Sequence, residues 1–160
     1  MAEIIVRPAL KSDVAWMRTV WQERWGADHV VVHGEVFHIT DLLGLVALRD
    51  EIPTGLVTLN KLKDECEVVT LDALEPGKGI GSCLLAAAVR WAQEQGCIRI
   101  KLTTTNDNMH ALRFYQKKGF CLHALHRGAV DAARKNKPEI PLVGINGIPI
   151  HDEIELDMPI

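Results

Sequence analysis

Tyrosine occurs once among the 160 residues, and aromatic side chains make up only 5% of them. No apolar run approaches the ~20 residues that a membrane-spanning helix needs. The first residues, Met1-Ala2-Glu3-Ile4-Ile5-Val6-Arg7, carry no basic n-region, no long apolar stretch and no small-residue cleavage site, so they do not read as an export signal. The four cysteines, at 66, 83, 97 and 121, form no C-x-x-C pair and no tight cluster with histidine. They read as reduced thiols, and a structural zinc site is not expected. The formal net charge is −3, from 18 Lys and Arg against 21 Asp and Glu. An acidic chain with few aromatics argues against a nucleic-acid partner. Internal repeats and low-complexity tracts are also missing. These absences leave a cytoplasmic protein without a membrane partner or a bound metal as the expectation.

What is present is ordinary globular material, 48% apolar and 24% charged. The length suits one domain over residues 1–160 with a single substantial core. Ile4–Arg7 reads as a short strand stopped by Pro8. Ser12 is placed to cap a helix over 13–25, in which Val14, Met17, Val20 and Trp21 form an apolar stripe. Residues 30–39 suggest a hairpin turning at His33-Gly34. Segments 45–49, 55–62 and 66–74 follow as an antiparallel meander. A glycine-rich turn at 75–81 leads into a helix over 82–95. Then come a strand at 98–102, a helix at 107–118 ended by Gly119, and a strand at 120–126. Residues 128–150 form a long irregular loop with three prolines, and 152–158 a C-terminal strand. Strands and helices in this order predict a mixed α/β sheet. Residues 99–137 hold nine Lys and Arg against only Asp107 and Asp131. That local excess suggests either an attractor for a phosphorylated ligand or a solvated face of two helices.

The turn Glu75-Pro76-Gly77-Lys78-Gly79-Ile80-Gly81 stands between a strand and a helix. Backbone N–H groups at a helix start lack intrahelical partners and carry the positive end of the dipole, so they suit phosphate. Glycines let a bulky pyrophosphate approach, and Lys78 adds a cation. Two familiar phosphate motifs do not fit. A P-loop needs a lysine after the second glycine of its spacing, and none follows Gly81. A dinucleotide fingerprint needs a third glycine where Leu84 stands, on the first strand of a βαβ unit.

Leu71-Asp72-Ala73-Leu74-Glu75-Pro76-Gly77-Lys78-Gly79-Ile80-Gly81-Ser82 resembles the acetyl-CoA-binding segment of the GNAT N-acetyltransferase superfamily, written [Q/R]-x-x-G-x-[G/A]. Gly79 and Gly81 match its glycines, whereas Pro76 replaces the usual Gln or Arg. A second, independent block, Asn108-Met109-His110-Ala111-Leu112-Arg113-Phe114-Tyr115-Gln116-Lys117-Lys118-Gly119-Phe120, resembles the family's N-x-x-A-x-x-[FL]-Y-x-K-x-G-F. The resemblance implies a mostly antiparallel sheet of six to seven strands, splayed between strands four and five and flanked by about four helices. It implies transfer of an acetyl group from acetyl-CoA to a primary amine by direct attack through a tetrahedral intermediate. The ending, residues 147–156, is similar to that of uncharacterised bacterial members.

The resemblance also assigns roles. Tyr115 is the expected acid beside the CoA sulfur, with packing beside Phe114 and Phe120 as the alternative. Leu71, Asp72 and Ala73 are expected to present backbone groups to pantetheine. Gly77, Lys78, Gly79, Ile80, Gly81 and Ser82 form the pyrophosphate cradle, with Asn108, Ala111, Phe114 and Lys117 on the opposing wall. For the base, Glu67 and Glu65 compete with a water chain. A strand's period of 2 puts Glu65, Glu67, Val69 and Leu71 on one face. Trp25, His33, Phe37 and His126 are the expected acceptor-side residues. The acceptor is expected to be a small-molecule amine held between residues 16–39 and 123–150. A protein or peptide acceptor, a non-catalytic acyl-CoA sensor of the same fold and a nucleotide-phosphate binder are the alternatives. Pairing of the C-terminal strand across a homodimer is left open.

Overall fold

The computed structural model describes residues 2–160. Along the chain run β1 (Ile4–Pro8), α1 (Val14–Trp25), β2 (His29–Val32), β3 (Glu35–His38), β4 (Leu43–Arg49), β5 (Ile52–Leu62), β6 (Glu65–Ala73), α2 (Ile80–Glu94), β7 (Arg99–Thr105), α3 (Met109–Lys117), β8 (Cys121–His126), α4 (Ala129–Ala133) and β9 (Glu153–Pro159). Seven strands make one sheet in the order β1-β4-β5-β6-β7-β9-β8, and β2 and β3 form a separate hairpin. Every neighbouring pair in the sheet is antiparallel except β6 and β7.

The central strands are buried on both faces, which explains the near-continuous apolar run of Leu45–Ala47 and Leu56–Val57. Leu45, Ala47 and Val57 pack with α2 and α3, and alternate residues Val46 and Leu56 pack with α1 and the hairpin. Two cores therefore sandwich the sheet. At Gly55 a Cβ would stand 2.6 Å from Ile80 Cγ2 and 2.9 Å from Leu84 Cδ1. Glycine there lets the start of α2 lie directly on β5.

Asp13, rather than Ser12, occupies the N-cap position of α1. Its carboxylate accepts from the Arg7 guanidinium at 2.6 Å and from the Leu10 N–H at 2.7 Å. Those two contacts tie β1 to the helix start. The C-terminal strand β9 is inserted between β7 and β8 and is paired on both sides within the chain. It therefore has no free edge for pairing with a second copy; the sheet edges are β1 and β8.

A bulge in β6 corrects the expected side-chain pattern. The register with β5 jumps from Leu59↔Val68 to Thr58↔Thr70, leaving Val69 as the extra residue. Cys66 and Val68 face the α2-side core, as do Leu71 and Ala73 beyond the bulge, while Val69 joins the α1-side core. The inserted residue shifts the period of 2 by one, so Leu71 does not share a face with Glu67 and Val69.

Candidate active site

β6 and β7 run parallel and pair only from Glu65↔Arg99 to Val68↔Leu102. Beyond that point β6 stays with β5 as far as Ala73, whereas β7 stays with β9 as far as Thr105. The sheet opens there into a V whose edge on β6 offers backbone groups from Val69 to Ala73. An amide-bearing ligand can add to such an edge as a further strand would.

Below the V lies a cleft of about 530 Å³. Its walls are Leu71–Ala73 on β6, Glu75–Gly77 and Gly79–Ser82 in the turn, and Asn108, His110, Ala111, Phe114 and Tyr115 on α3. Gly79 is the N-cap of α2 at φ 78°, a left-handed conformation that favours glycine, and no side chain caps the helix. The first N–H groups of α2 thus remain available to an anion. Lys78 is exposed in the same turn but does not line the cleft.

On the far wall, Asn108 caps α3 by accepting from the Ala111 N–H at 3.0 Å. Tyr115 is packed edge-on between Phe114 and Phe120, with ring centroids 5.1 and 5.5 Å away. The packing and the cleft positions thus coincide in one residue. Burial, reinforced by the nearby Asp72 carboxylate, pushes the Tyr115 phenol well above its usual pKa. It keeps its proton across the physiological range and so has a hydrogen to donate.

α1 docks on β6 through two indoles. Trp21 Nε1 donates to Thr70 Oγ1 at 3.2 Å, and Trp25 Nε1 donates to both Asp72 oxygens at 3.1 Å. Residues four apart on a helix and two apart on a strand each share a face, so the two bonds repeat one another. Thr70 Oγ1 also bonds Thr58 Oγ1 at 2.6 Å, which pins the bulged region. Asp72 is 6% exposed, and burial pushes its carboxyl up to about 6 against the pull of Trp25 and Arg24.

A second cavity, of about 460 Å³, opens on the other side of Asn108. Arg24, Trp25 and Gly26 of the α1 end, Val30–Val32, Val69, Thr103–Thr105 and Glu153 form its inner walls. Val130, Ala133, Lys137 and Glu139–Pro141 close it from the long loop. Arg24 and Asn108 line both cavities. The loop is pegged rather than loose. Arg134 donates to the carbonyls of Ile140, Pro141 and Ile150 at 3.3, 2.6 and 2.7 Å. Asn106 donates to Pro149 O at 2.9 Å and accepts from the His151 and Asp152 N–H groups, both at 3.0 Å. Lys137 is buried, donates to the carbonyls of Trp25 and His29, and is shifted down by desolvation.

Several expected site residues are placed elsewhere. Glu65 bonds Arg99 and Lys101 at 3.1 Å each and lines neither cavity. Glu67 is 2% exposed and is bound through both oxygens, at 3.0 and 2.9 Å, to His33 Nε2. That hydrogen bond raises the His33 pKa, and the ring is turned toward Glu67 rather than into the acceptor-side cavity. Phe37 is a buried core residue against His33. His126 stands exposed on edge strand β8, 4.0 Å from Glu155, and Lys117 is exposed at the end of α3. Of the four acceptor-side residues named from sequence, only Trp25 lines the second cavity. The basic excess of 99–137 does not form one patch, because Arg99 and Lys101 pair with acids, Arg134 holds the loop and Lys137 is buried.

Arg24, Asn106 and Lys137 were not legible as cavity or wall residues. Glu153 is buried, lines the second cavity and accepts the His33 N–H at 2.9 Å. The length of 128–150 and its three prolines pointed to that wall.

A splayed parallel pair, an uncapped helix start and a tyrosine lining the cleft between them suit an amide-bearing, phosphorylated ligand. Residues 12–120 match the model of the Acetyltransferase (GNAT) family, and the chain belongs to that family. It is 44% identical over 137 residues to the uncharacterised protein YxbD of Bacillus subtilis, covering 85% of this chain and 86% of that one. A GNAT family acetyltransferase from Elizabethkingia anophelis, solved with acetyl-CoA bound, superposes with a TM-score of 0.72 at 19% identity over 98% of each chain. The ribosomal-protein-S18-alanine N-acetyltransferase of Escherichia coli superposes with a TM-score of 0.71 at 14% identity, over 99% of this chain and 94% of that one. The chain is an acetyl-CoA-dependent acetyltransferase. The free β6 edge and uncapped α2 start fit that co-substrate. Among the described residues no His, Cys, Asp and Glu cluster suited to a metal is found, and no helix is long and apolar enough to cross a membrane.

Proposed function

We propose that the protein N-acetylates the primary amine of a compact molecule with a largely apolar body, and that it works in the cytoplasm. One observation carries the acceptor reading: a cavity of about 460 Å³, walled by the pegged loop and joined to the donor cleft at Arg24 and Asn108. Its volume lies in the range of small-molecule pockets. Val30–Val32, Val69, Val130, Ile140 and Pro141 supply the apolar lining, and Glu153 supplies a buried carboxylate for a cation. Four free cysteines support the compartment.

Bound acetyl-CoA supplies the acetyl thioester. The Val69–Ala73 edge of β6 holds the pantetheine amides, and one of its N–H groups stabilises charge on the thioester oxygen. The α2 start holds the pyrophosphate. Tyr115 donates a hydrogen bond to the sulfur as it leaves, and the loop wall excludes water from the acceptor side.

Thiol release measured with a panel of small amines, amino acids and short peptides tests this. The expected result is a higher kcat/KM for compact amines with apolar bodies than for any peptide. Turnover confined to peptide or protein amines would transfer the assignment to that class, and no thiol release with any amine would leave an acyl-CoA sensor.

A further inference from the structure

The geometry points to Asp72 as the catalytic base, the group that takes the proton from the attacking amine. The inference rests on the acetyltransferase chemistry above, but not on the size of the acceptor. The amine must lose its proton where it meets the thioester, so its base must reach the place where the two cavities join. Glu65 is committed to Arg99 and Lys101 on the outside of the sheet. Glu67 is sealed behind His33. Glu153 lines the acceptor cavity away from the donor cleft, and its carboxylate is engaged by the His33 N–H at 2.9 Å. Asp72 lines the donor cleft on the strand that borders the V, and its one side-chain hydrogen-bond donor among the described residues, Trp25 Nε1, belongs to a ring that lines the acceptor cavity.

A carboxylate with one bifurcated indole donor keeps acceptor capacity on both oxygens. Arg24 of α1 and Tyr115 of α3 are the charged and titratable groups that act on it, and neither makes a hydrogen bond to it. Because its lining position is buried, Asp72 holds a proton more readily than a surface aspartate, yet it is ionised at neutral pH. The step balances as follows. Asp72 takes one proton from the ammonium. The freed lone pair forms the C–N bond and the C–S bond breaks. The second nitrogen proton leaves with the thiolate, giving amide, thiol and a neutral Asp72 that returns its proton to solvent.

The test uses Asp72→Asn, which keeps an oxygen for Trp25 and removes the base. With the amine that the wild type acetylates best, kcat should fall by about 10²- to 10⁴-fold, while the thermal shift given by acetyl-CoA is kept. The acid limb of the wild-type kcat/KM profile, near pH 6, should vanish. The residual rate should rise tenfold per pH unit as free amine accumulates. Trp25→Phe supplies an independent reading, since losing the indole donor should move the limb to higher pH. A carboxyl ¹³C titration of the enzyme alone should show the same midpoint and the same displacement. A wild-type rate in Asp72→Asn, an acid limb that survives there, or a limb and a titration unmoved in Trp25→Phe would each overturn the assignment. The amine panel reports separately on the acceptor, because Asp72 would serve a peptide amine equally.

Discussion

Replacing Asp72 by asparagine should make the protein more stable while making it slower. The carboxyl is ordinarily half-protonated at 3.8 and is pushed up to about 6 in the fold, chiefly by burial. At 1.36 kcal/mol per pKa unit, keeping it ionised in the fold costs roughly 3 kcal/mol once the pH is above both values. Below about 3.8 the carboxyl is neutral in both states and the cost is absent. Between 3.8 and about 6 the cost grows with pH, and above 6 it is flat. Asparagine accepts the Trp25 indole without carrying charge, but brings an amide N–H₂ that needs its own partners. A net gain of about 1–2 kcal/mol at pH 7.5 is expected, allowing ~1–2 kcal/mol for imperfect partnering. Urea unfolding of wild type and variant at pH 4, 5, 6, 7 and 8 measures it. The difference in stability should open between pH 4 and 6 and then hold constant. A variant less stable than wild type at pH 7.5, or a difference that does not change between pH 4 and 7, would refute the reasoning about burial of this charge.

Tyr115→Phe should lower kcat by about 10²-fold with acetyl-CoA affinity little changed, since the edge of β6 and the turn hold the co-substrate; steady-state kinetics and thermal shift separate the two. Gly79→Glu forces a side chain onto φ 78° and sets a carboxylate at the start of α2, so the roughly 2.7 kcal/mol stabilisation that acetyl-CoA gives at ~100 times its Kd should disappear. His33 has its pKa raised above 6.5 chiefly by its bond to Glu67. The stability it contributes is present below pH 6.5 and is lost as pH rises through the folded value. In urea, His33→Gln should therefore fall furthest below wild type below pH 6.5, with the gap closing as pH rises above it; a gap independent of pH would show that the imidazolium is not the stabilising form.

The fold and the donor side were written locally. Gly77–Ser82 and Asn108–Phe120 are short blocks whose chemistry depends on backbone conformation and helix position, and both lie where one strand, one turn and one helix meet. Alternation, glycine stops and capping residues act over a few residues, so they survive reading in one dimension. Tyr115 was legible for the same reason, standing in a dense motif as the chain's single tyrosine. The acceptor side was not. Its lining comes from α1, β2, β7, β9 and the 128–150 loop, segments far apart in the chain that carry no shared pattern.

Sequence alone determined the element order and the turn that suits phosphate, because each follows from local periodicity and spacing, while the splayed-sheet family came from the resemblance of two short motif blocks. Tertiary structure decided the rest. It placed β9 between β7 and β8, which removed the free C-terminal strand. It inserted Val69 as a bulge, which turned Leu71 away from the face of Glu67 and aligned Thr70 and Asp72 with the tryptophans of α1. It drew Glu65 and Glu67 into partners on other strands and loops, leaving Asp72 in the donor cleft, bonded to a tryptophan of the second cavity. A carboxylate's role depends on its burial and on which groups pack around it, and those are properties of the folded chain that no stretch of sequence contains.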